Sequence, residues 1–131
     1  IVPLEEFAAM KHDNDILVRV LIRKRPGSFV YQAMRNQRTD FPVLTCALSR
    51  VEGEYRAVIG ARPARAIVIR DEQGILRDGI TEESASAFAA YAAGKAHTGS
   101  NVRGSAAYRT HLINVLTRRS ALELGGMQEW N

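Results

Sequence analysis

The sequence predicts an α+β domain in which a small antiparallel β-sheet is covered by C-terminal helices. Two apolar runs of strand length, residues 41–49 and 55–60, flank the turn-like residues 51–54 and indicate a β-hairpin. A third run, residues 66–69, follows the breaker Arg62-Pro63 and predicts a further strand. Two long helical patterns come after these strands. Because a sheet and a helix each bury one face, the pieces are expected to pack as two layers.

Upstream of the hairpin the sequence predicts a short helix and then two extended segments. Residues 3–10 place proline at a helix start, with acidic residues in the first turn. Residues 16–23 are rich in β-branched side chains and have the length of a strand. Pro26-Gly27 then turns the chain, residues 28–31 resume it in extended form, and residues 34–40 form a polar connection.

The first C-terminal helix is predicted to begin after Thr81, which is a good N-cap and is followed by two acidic residues. It runs to about His97. Four of its side chains share one face and are expected to lie on the sheet: Ala85, Phe88, Ala89 and Ala92.

The final helix is predicted to begin at Ser105 and to run to about Leu124, where Gly125-Gly126 ends it. Residues 127–131 are expected to form a frayed tail. The apolar side chains at helical spacing in this helix are Tyr108, Leu112, Val115, Leu116 and Leu122.

Length and composition indicate one globular domain. The chain has 131 residues, of which 46% are hydrophobic and 24% charged. No apolar run approaches the roughly 20 residues that span a bilayer. Residues 1–6 show neither an initiator methionine nor a signal pattern, so we expect the sequence to come from a longer chain. Cys46 is the only cysteine, which excludes an internal disulfide or a cysteine metal site and predicts a cytoplasmic location.

The net charge of +4 raises a competing hypothesis, a non-enzymatic interaction or nucleic-acid-binding module. Only three of the eighteen basic residues are lysines, and the densest cluster is Arg23-Lys24-Arg25. No aromatic-rich RNA-binding signature accompanies the arginines. Since arginine also suits ion pairs and phosphate contacts, its abundance alone does not indicate nucleic acid.

The segment from Gly99 to Ser105 has the glycine spacing of a phosphate-binding loop and precedes a helix. The lysine of that motif is replaced by Ser105, and no clear strand leads into the segment. The pattern therefore favours a loop between two helices, with an amide nest for phosphate as the weaker alternative.

No catalytic constellation is visible in the sequence. His12, His97 and His111 lack the spacing of metal ligands. Cys46 falls in an apolar run, where a cysteine is usually a small buried hydrophobe. Adjacent acidic pairs such as Glu82-Glu83 are explained by capping. A further functional hypothesis, an independent small hydrolase, is supported only by this cysteine and the scattered histidines.

The order of several segments along the chain is informative. Residues 2–7 (VPLEEF) precede 15–22 (DILVRVLI), which precede 31–42 (YQAMRNQRTDFP). Residues 59–63 (IGARP) then come before the alanine-rich helix, and 101–109 (NVRGSAAYR) lead into a helix with Arg118-Arg119. In this series the chain resembles the C-terminal domain of the flavoprotein subunit of molybdenum hydroxylases, the carbon monoxide dehydrogenase and xanthine dehydrogenase family.

The resemblance implies a fold like the CO dehydrogenase flavoprotein C-terminal domain and a position next to an upstream FAD-binding domain. It implies that the domain closes over the flavin ring while electrons pass from molybdopterin through iron–sulfur clusters to FAD and an acceptor. Molybdopterin and the clusters would belong to partner subunits or domains. The chain lacks the glycine-rich loops that hold the FAD pyrophosphate, so it resembles the second half of such a subunit and is expected to be inactive alone.

The resemblance also implies cofactor-binding residues. The family's leucine near the flavin matches Leu17, and its flavin-side lysine falls on Gln32 or, in another register, on Arg35. Arg38 matches a basic position before the hairpin, whereas Tyr108-Arg109 matches a helix-start pair with a structural role. Because contacts of this kind touch one side of the ring only, the isolated chain is expected to bind FAD weakly or not at all.

Overall fold

A computed structural model describes residues 1–11, 14 and 16–127. In chain order the elements are α1 (Leu4–Ala9), β1 (Ser28–Met34), β2 (Leu44–Val51), β3 (Glu54–Gly60), β4 (Ile67–Arg70), α2 (Glu82–Lys95) and α3 (Ala106–Gly125). The four strands form one antiparallel sheet in the order β1-β2-β3-β4. The α+β class and the antiparallel sheet covered by C-terminal helices are therefore confirmed.

The centre of the sheet is the predicted hairpin of β2 and β3. Val51 pairs with Glu54, and the two residues between them, Glu52 and Gly53, both have positive φ, at 53° and 79°. Positive φ at both central residues is typical of the tight turn whose twist matches that of the flanking strands. The first strand of the hairpin, β2, begins at Leu44 rather than at residue 41, since Pro42 has no N–H to give to the ladder.

The helix α3 packs directly on one face of the sheet, and α2 packs against α3 and adds side chains to the same core. That face carries buried side chains at alternate positions of β2, among them Leu44, Cys46 and Leu48. α3 contacts β1 and β2 directly and packs against α2. On the opposite face, Phe29 and Tyr31 are 60% and 63% exposed. The core therefore lies between one sheet face and two helices.

The first long helix agrees with its predicted start and buried face. The Thr81 hydroxyl accepts a hydrogen bond from the Ser84 amide at 3.2 Å, and the Ser84 hydroxyl accepts one from the Thr81 amide at 2.9 Å. This reciprocal pair satisfies two donors that a helix start leaves open. All four of the predicted face residues are buried: Ala85, Phe88, Ala89 and Ala92.

The last helix begins after Ser105 and is capped by Gly126, as predicted, but its buried stripe is rotated. Tyr108 is 41% exposed, whereas the neighbouring Arg109 is fully buried. The stripe follows helical spacing from there: Arg109, Leu112, Ile113, Leu116, Thr117, Ser120, Ala121 and Leu124. The predicted tail falls almost wholly on residues 128–131, which lie outside the described residues.

The strand predicted at residues 16–23 is wrong. The described residues of this segment have no regular secondary structure, and the large apolar side chains from Ile16 to Ile22 are all at least 60% exposed. Strand propensity reflects packing against neighbouring strands, and the four-stranded sheet does not supply a neighbour to this segment. No helix within the described residues has the length and apolar character needed to cross a membrane.

Candidate functional site

An open groove lies at the end of the sheet where β1 finishes. It has a volume of about 380 Å³. We call it the loop groove, defined by its lining residues Arg35, Arg38, Thr39, Asp40, Phe41 and Pro42. Arg35, Arg38, Thr39 and Asp40 belong to the predicted polar connection, whereas the sequence places Phe41 and Pro42 at the start of the first hairpin strand.

Hydrogen bonds hold the loop of this groove in one shape. The Val43 amide donates to the Met34 carbonyl at 2.7 Å and closes the base of the loop. The Asp40 amide donates to the Gln37 carbonyl at 3.1 Å and forms a turn inside it. Because backbone groups close the loop, its side chains project from a fixed frame.

The charges of the groove are only partly paired. The Asp40 carboxylate accepts from Arg103 Nε at 3.2 Å and Nη2 at 3.1 Å, and it also accepts from the Phe41 amide at 2.7 Å. The same Arg103 guanidinium lies 5.3 Å from the centre of the Phe41 ring. Among the described residues, Arg35 and Arg38 have no ion-pair or hydrogen-bond partner. The groove therefore presents two unpaired positive charges beside an aromatic ring that is 75% exposed.

Arg109 joins the two loops that border the groove. Its side chain is fully buried, and its Nε donates to the Val43 carbonyl at 2.9 Å. Its Nη1 donates to the carbonyls of Gly99, at 2.8 Å, and Gly104, and its Nη2 donates to Asn101 Oδ1 at 2.6 Å. A buried charge is tolerated only when it is hydrogen-bonded, and four acceptors meet that requirement here. The structural role predicted for Arg109 is thus confirmed.

The segment from Gly99 to Ser105 is a loop between two helices, as the glycine pattern favoured. The carbonyls of Gly99 and Gly104 accept from the Arg109 guanidinium, and the Gly99 amide donates to the Arg62 carbonyl at 2.6 Å. The Asn101 and Gly104 amides donate to each other's carbonyls at 3.1 Å, and the Arg103 amide donates to Asn101 Oδ1 at 2.9 Å. Four of the seven amides from Gly99 to Ser105 are therefore bonded within the protein, which leaves fewer donors for an anion nest.

The three residues implied as cofactor contacts lie in different surroundings. Leu17 is 66% exposed in the irregular segment before β1. Gln32 lies in β1, and its amide nitrogen donates to Glu123 Oε2 of α3 at 3.0 Å. Arg35 lines the loop groove together with Arg38. The structure therefore brings the two arginines together, while Gln32 is engaged by the last helix.

Burial at position 109 is the main feature that the sequence reasoning did not identify. Arginine is almost never fully buried unless it is paired. The signal was nevertheless present, because Arg109 precedes Leu112 and Ile113 by three and four residues and so begins their stripe.

Cys46 is a buried residue of the core, as predicted. Its Sγ lies 3.6 Å from the hydroxyl of Thr117, and burial raises the pKa of the thiol, opposed by the hydrogen bond with Thr117. A thiol that ionises less readily than usual is a poor nucleophile. Among the described residues, no group of three or more histidine, cysteine or acidic side chains could hold a metal ion. His12 lies outside them.

Many of the arginines form ion pairs or hydrogen bonds within the domain. Arg25, Arg56, Arg70 and Arg118 pair with glutamates on the surface. Arg62 and Arg65 donate to backbone carbonyls. These contacts explain many of the basic residues without a nucleic-acid partner. A second concave surface, of about 290 Å³, carries charges of both signs and is lined by Gly53, Glu54, Tyr55, Arg70, Asp71, Glu72, Gly74 and Arg77.

Comparisons with known proteins agree with the resemblance. The sequence model of the family named CO dehydrogenase flavoprotein C-terminal domain matches residues 29–124 of this chain. Quinoline 2-oxidoreductase from Pseudomonas putida 86 is similar in structure with a TM-score of 0.61 and 20% sequence identity, over 76% of this chain and 37% of that one. Carbon monoxide dehydrogenase from Hydrogenophaga pseudoflava gives a TM-score of 0.63 and 21% identity, over 76% and 36%. A search of curated proteins by sequence found no significant match.

The two solved structures share the fold of this chain, which spans only about 37% and 36% of their lengths. The family match covers β1 to α3, the same region that forms the sheet and its two covering helices. The chain therefore belongs to the CO dehydrogenase flavoprotein C-terminal domain family.

Proposed function

We propose that this chain is the C-terminal domain of the FAD-binding subunit of a molybdopterin oxidoreductase of the xanthine dehydrogenase and CO dehydrogenase type. In this proposal an upstream domain binds FAD, and partner subunits or domains carry the molybdopterin and the iron–sulfur clusters. Bound FAD would supply the redox chemistry that links those clusters to an acceptor. The chain's own part is to cover one side of the flavin ring. The observation that carries the proposal is the family match over residues 29–124.

The described residues fit such a one-sided role and do not fit a complete FAD site. A dinucleotide needs free backbone amides around its pyrophosphate, and the amides of Asn101, Arg103 and Gly104 in the loop before α3 are bonded within the loop. The α3 start is likewise occupied, since the Ser105 hydroxyl accepts from the Tyr108 amide at 3.1 Å. The exposed groups that remain are side chains. A ligand of this size held by side chains on one side gains too little to offset its immobilisation.

The proposed flavin contacts are Leu17 together with Gln32 or Arg35. Exposure of the Leu17 side chain supports an apolar contact with a group outside this domain. The unpaired guanidinium of Arg35 supports the register in which it takes the lysine position. Gln32 donates to Glu123, so a contact from Gln32 would require that hydrogen bond to be exchanged.

The first test is a titration of FAD into the purified 131-residue chain, followed by flavin fluorescence. We expect no saturation at micromolar concentrations. Micromolar or tighter binding would mean that the chain holds an FAD site of its own. Sequencing the gene upstream of Ile1 is the complementary test, and an open reading frame without glycine-rich FAD loops would contradict the proposal.

The second test uses the longer protein with its upstream domain. FAD binding should be restored there, and Leu17→Ala or Arg35→Gln should change the flavin absorption spectrum or reduction potential. Gln32→Ala distinguishes the two registers, because only one of positions 32 and 35 should affect the flavin. His111→Ala, an exposed change on α3, is the matched control. Equal effects from the control and the test variants would refute the assigned contacts.

A further inference from the structure

The loop groove has the composition of a binding site for an anionic aromatic molecule. Arg35 and Arg38 supply two guanidinium groups without partners among the described residues, and Phe41 supplies a ring that is 75% exposed. Arginine is suited to phosphate and carboxylate because its planar fork donates two parallel hydrogen bonds. An exposed aromatic ring offers a stacking surface for a planar group. The groove thus combines charge and stacking in one place.

The charge of the groove selects the class of ligand. Asp40 is the one carboxylate in its lining, and that carboxylate is already bonded to Arg103 and to the Phe41 amide. The two free arginines therefore leave an uncompensated charge of about +2. A phosphate monoester carries about −1.5 to −2 at neutral pH, which matches that charge. A single carboxylate would neutralise only half of it.

The groove is held in shape before any ligand arrives. Backbone hydrogen bonds close its loop at Val43 and at Asp40, and Asn36 Nδ2 donates to the Arg103 carbonyl at 3.1 Å. A preformed site loses less conformational freedom on binding than one that must fold around its ligand. Its volume of about 380 Å³ is within the range of small-molecule sites.

We propose that the loop groove binds a small molecule made of a planar aromatic group and a terminal phosphate, of the nucleoside monophosphate class. Arg35 and Arg38 hold the phosphate, and the planar group stacks on the open face of Phe41. Arg103 supports the site from the other side by holding Asp40 and lying against the ring. The site shares Arg35 with one register of the proposed flavin contact, so the full subunit can use both only where Gln32 takes the lysine position. Binding to the 131-residue chain itself requires neither FAD nor an upstream domain.

The test is a titration of the 131-residue chain, without flavin, followed by two-dimensional amide NMR. Adenosine 5′-monophosphate is the probe, adenosine lacks the phosphate, and inorganic phosphate lacks the ring. We expect the monophosphate to bind at least tenfold more tightly than either fragment and to shift amides of residues 35–42. The Arg35→Gln/Arg38→Gln double variant should weaken it about tenfold or more. Arg119→Gln, an exposed arginine on α3, should leave it unchanged.

Three results would overturn the proposal. The first is binding of adenosine as tight as that of the monophosphate, and the second is an undiminished affinity in the double variant. The third is tighter binding of a single-stranded oligonucleotide lacking a terminal phosphate, which would make the surface a nucleic-acid site. The comparison of the three small probes on the unaltered chain needs no variant, so it decides the matter even if a variant misfolds. The flavin proposal is read out separately, by FAD titration and by the flavin spectrum of the longer protein, so a failure of one proposal can be told from a failure of the other.

Discussion

Replacing Arg109 should cost this domain more stability than any surface change. In Arg109→Met the carbonyls of Val43, Gly99 and Gly104 and the Asn101 side chain lose their donor. Each buried group left without a partner costs about 1–3 kcal/mol, but the loop can relax and water can reach its outer part. A total loss of about 3–5 kcal/mol is the expected scale for breaking a buried charged network. For 131 residues this corresponds to a fall in Tm of about 11–18 °C.

Urea denaturation followed by circular dichroism measures this loss. Arg109→Lys keeps the charge but not the planar fork, so it should fall between the wild type and the methionine variant. Arg119→Met, on the exposed side of the same helix, controls for losing an arginine from α3 and should change the free energy of unfolding by less than about 0.5 kcal/mol. A methionine variant within about 1 kcal/mol of the wild type would refute the reasoning, because it would mean that the two loops do not depend on the guanidinium.

Four further predictions concern single positions. Thr81→Ala should lower the free energy of unfolding by about 1 kcal/mol in urea denaturation, because it removes the cap of α2, and no change would contradict the reciprocal pair. Cys46 should resist thiol reagents in the native chain. Because burial raises the pKa of its thiol, the free energy of unfolding should fall above pH of about 8.5, where the unfolded chain releases a proton that the folded chain keeps. Cys46→Ala should lessen that alkaline loss, and an identical pH profile would count against it. Gly60→Ala should destabilise by about 1–3 kcal/mol, since an added Cβ would lie 2.5 Å from Thr45 Oγ1. Ala61→Gly should leave the free energy of unfolding unchanged or raise it in the same urea denaturation, since φ is 55° there, and a loss above about 1 kcal/mol would be the contrary result.

Local signals predicted most of the fold because the elements concerned are specified locally. The turn at Glu52-Gly53 and the cap at Thr81 each rest on residues within four positions of one another. The buried face of α2, which consists mainly of alanines, was likewise predicted from helical spacing alone. The strand prediction for residues 16–23 was wrong because a strand is not specified locally. Their composition is that of a strand, but a strand also needs a neighbour, and composition does not say whether one exists.

The site was less predictable because it depends on contacts between distant parts of the chain. Arg103 donates to the Asp40 carboxylate and lies over the Phe41 ring, although more than sixty residues separate it from both in the sequence. Arg109 reaches Val43 in the same way. Side-chain type alone could mark Arg35 and Arg38 as basic loop residues, but it could not show that both line one groove beside an exposed ring. The resemblance identified the family from the sequence, whereas the groove could be recognised only in the structure.

The position of α3 in the chain has a consequence for synthesis on the ribosome. The sheet is a meander whose strands all pair with their sequence neighbours, so each strand can pair as it emerges. The helix that covers β1 and β2 emerges last among the described elements, and it supplies Leu112, Ile113 and Leu116 to the core. Until that helix is released, the apolar face of the sheet is open to water and to other chains. The nascent sheet should therefore be the stage at which this domain most needs a chaperone.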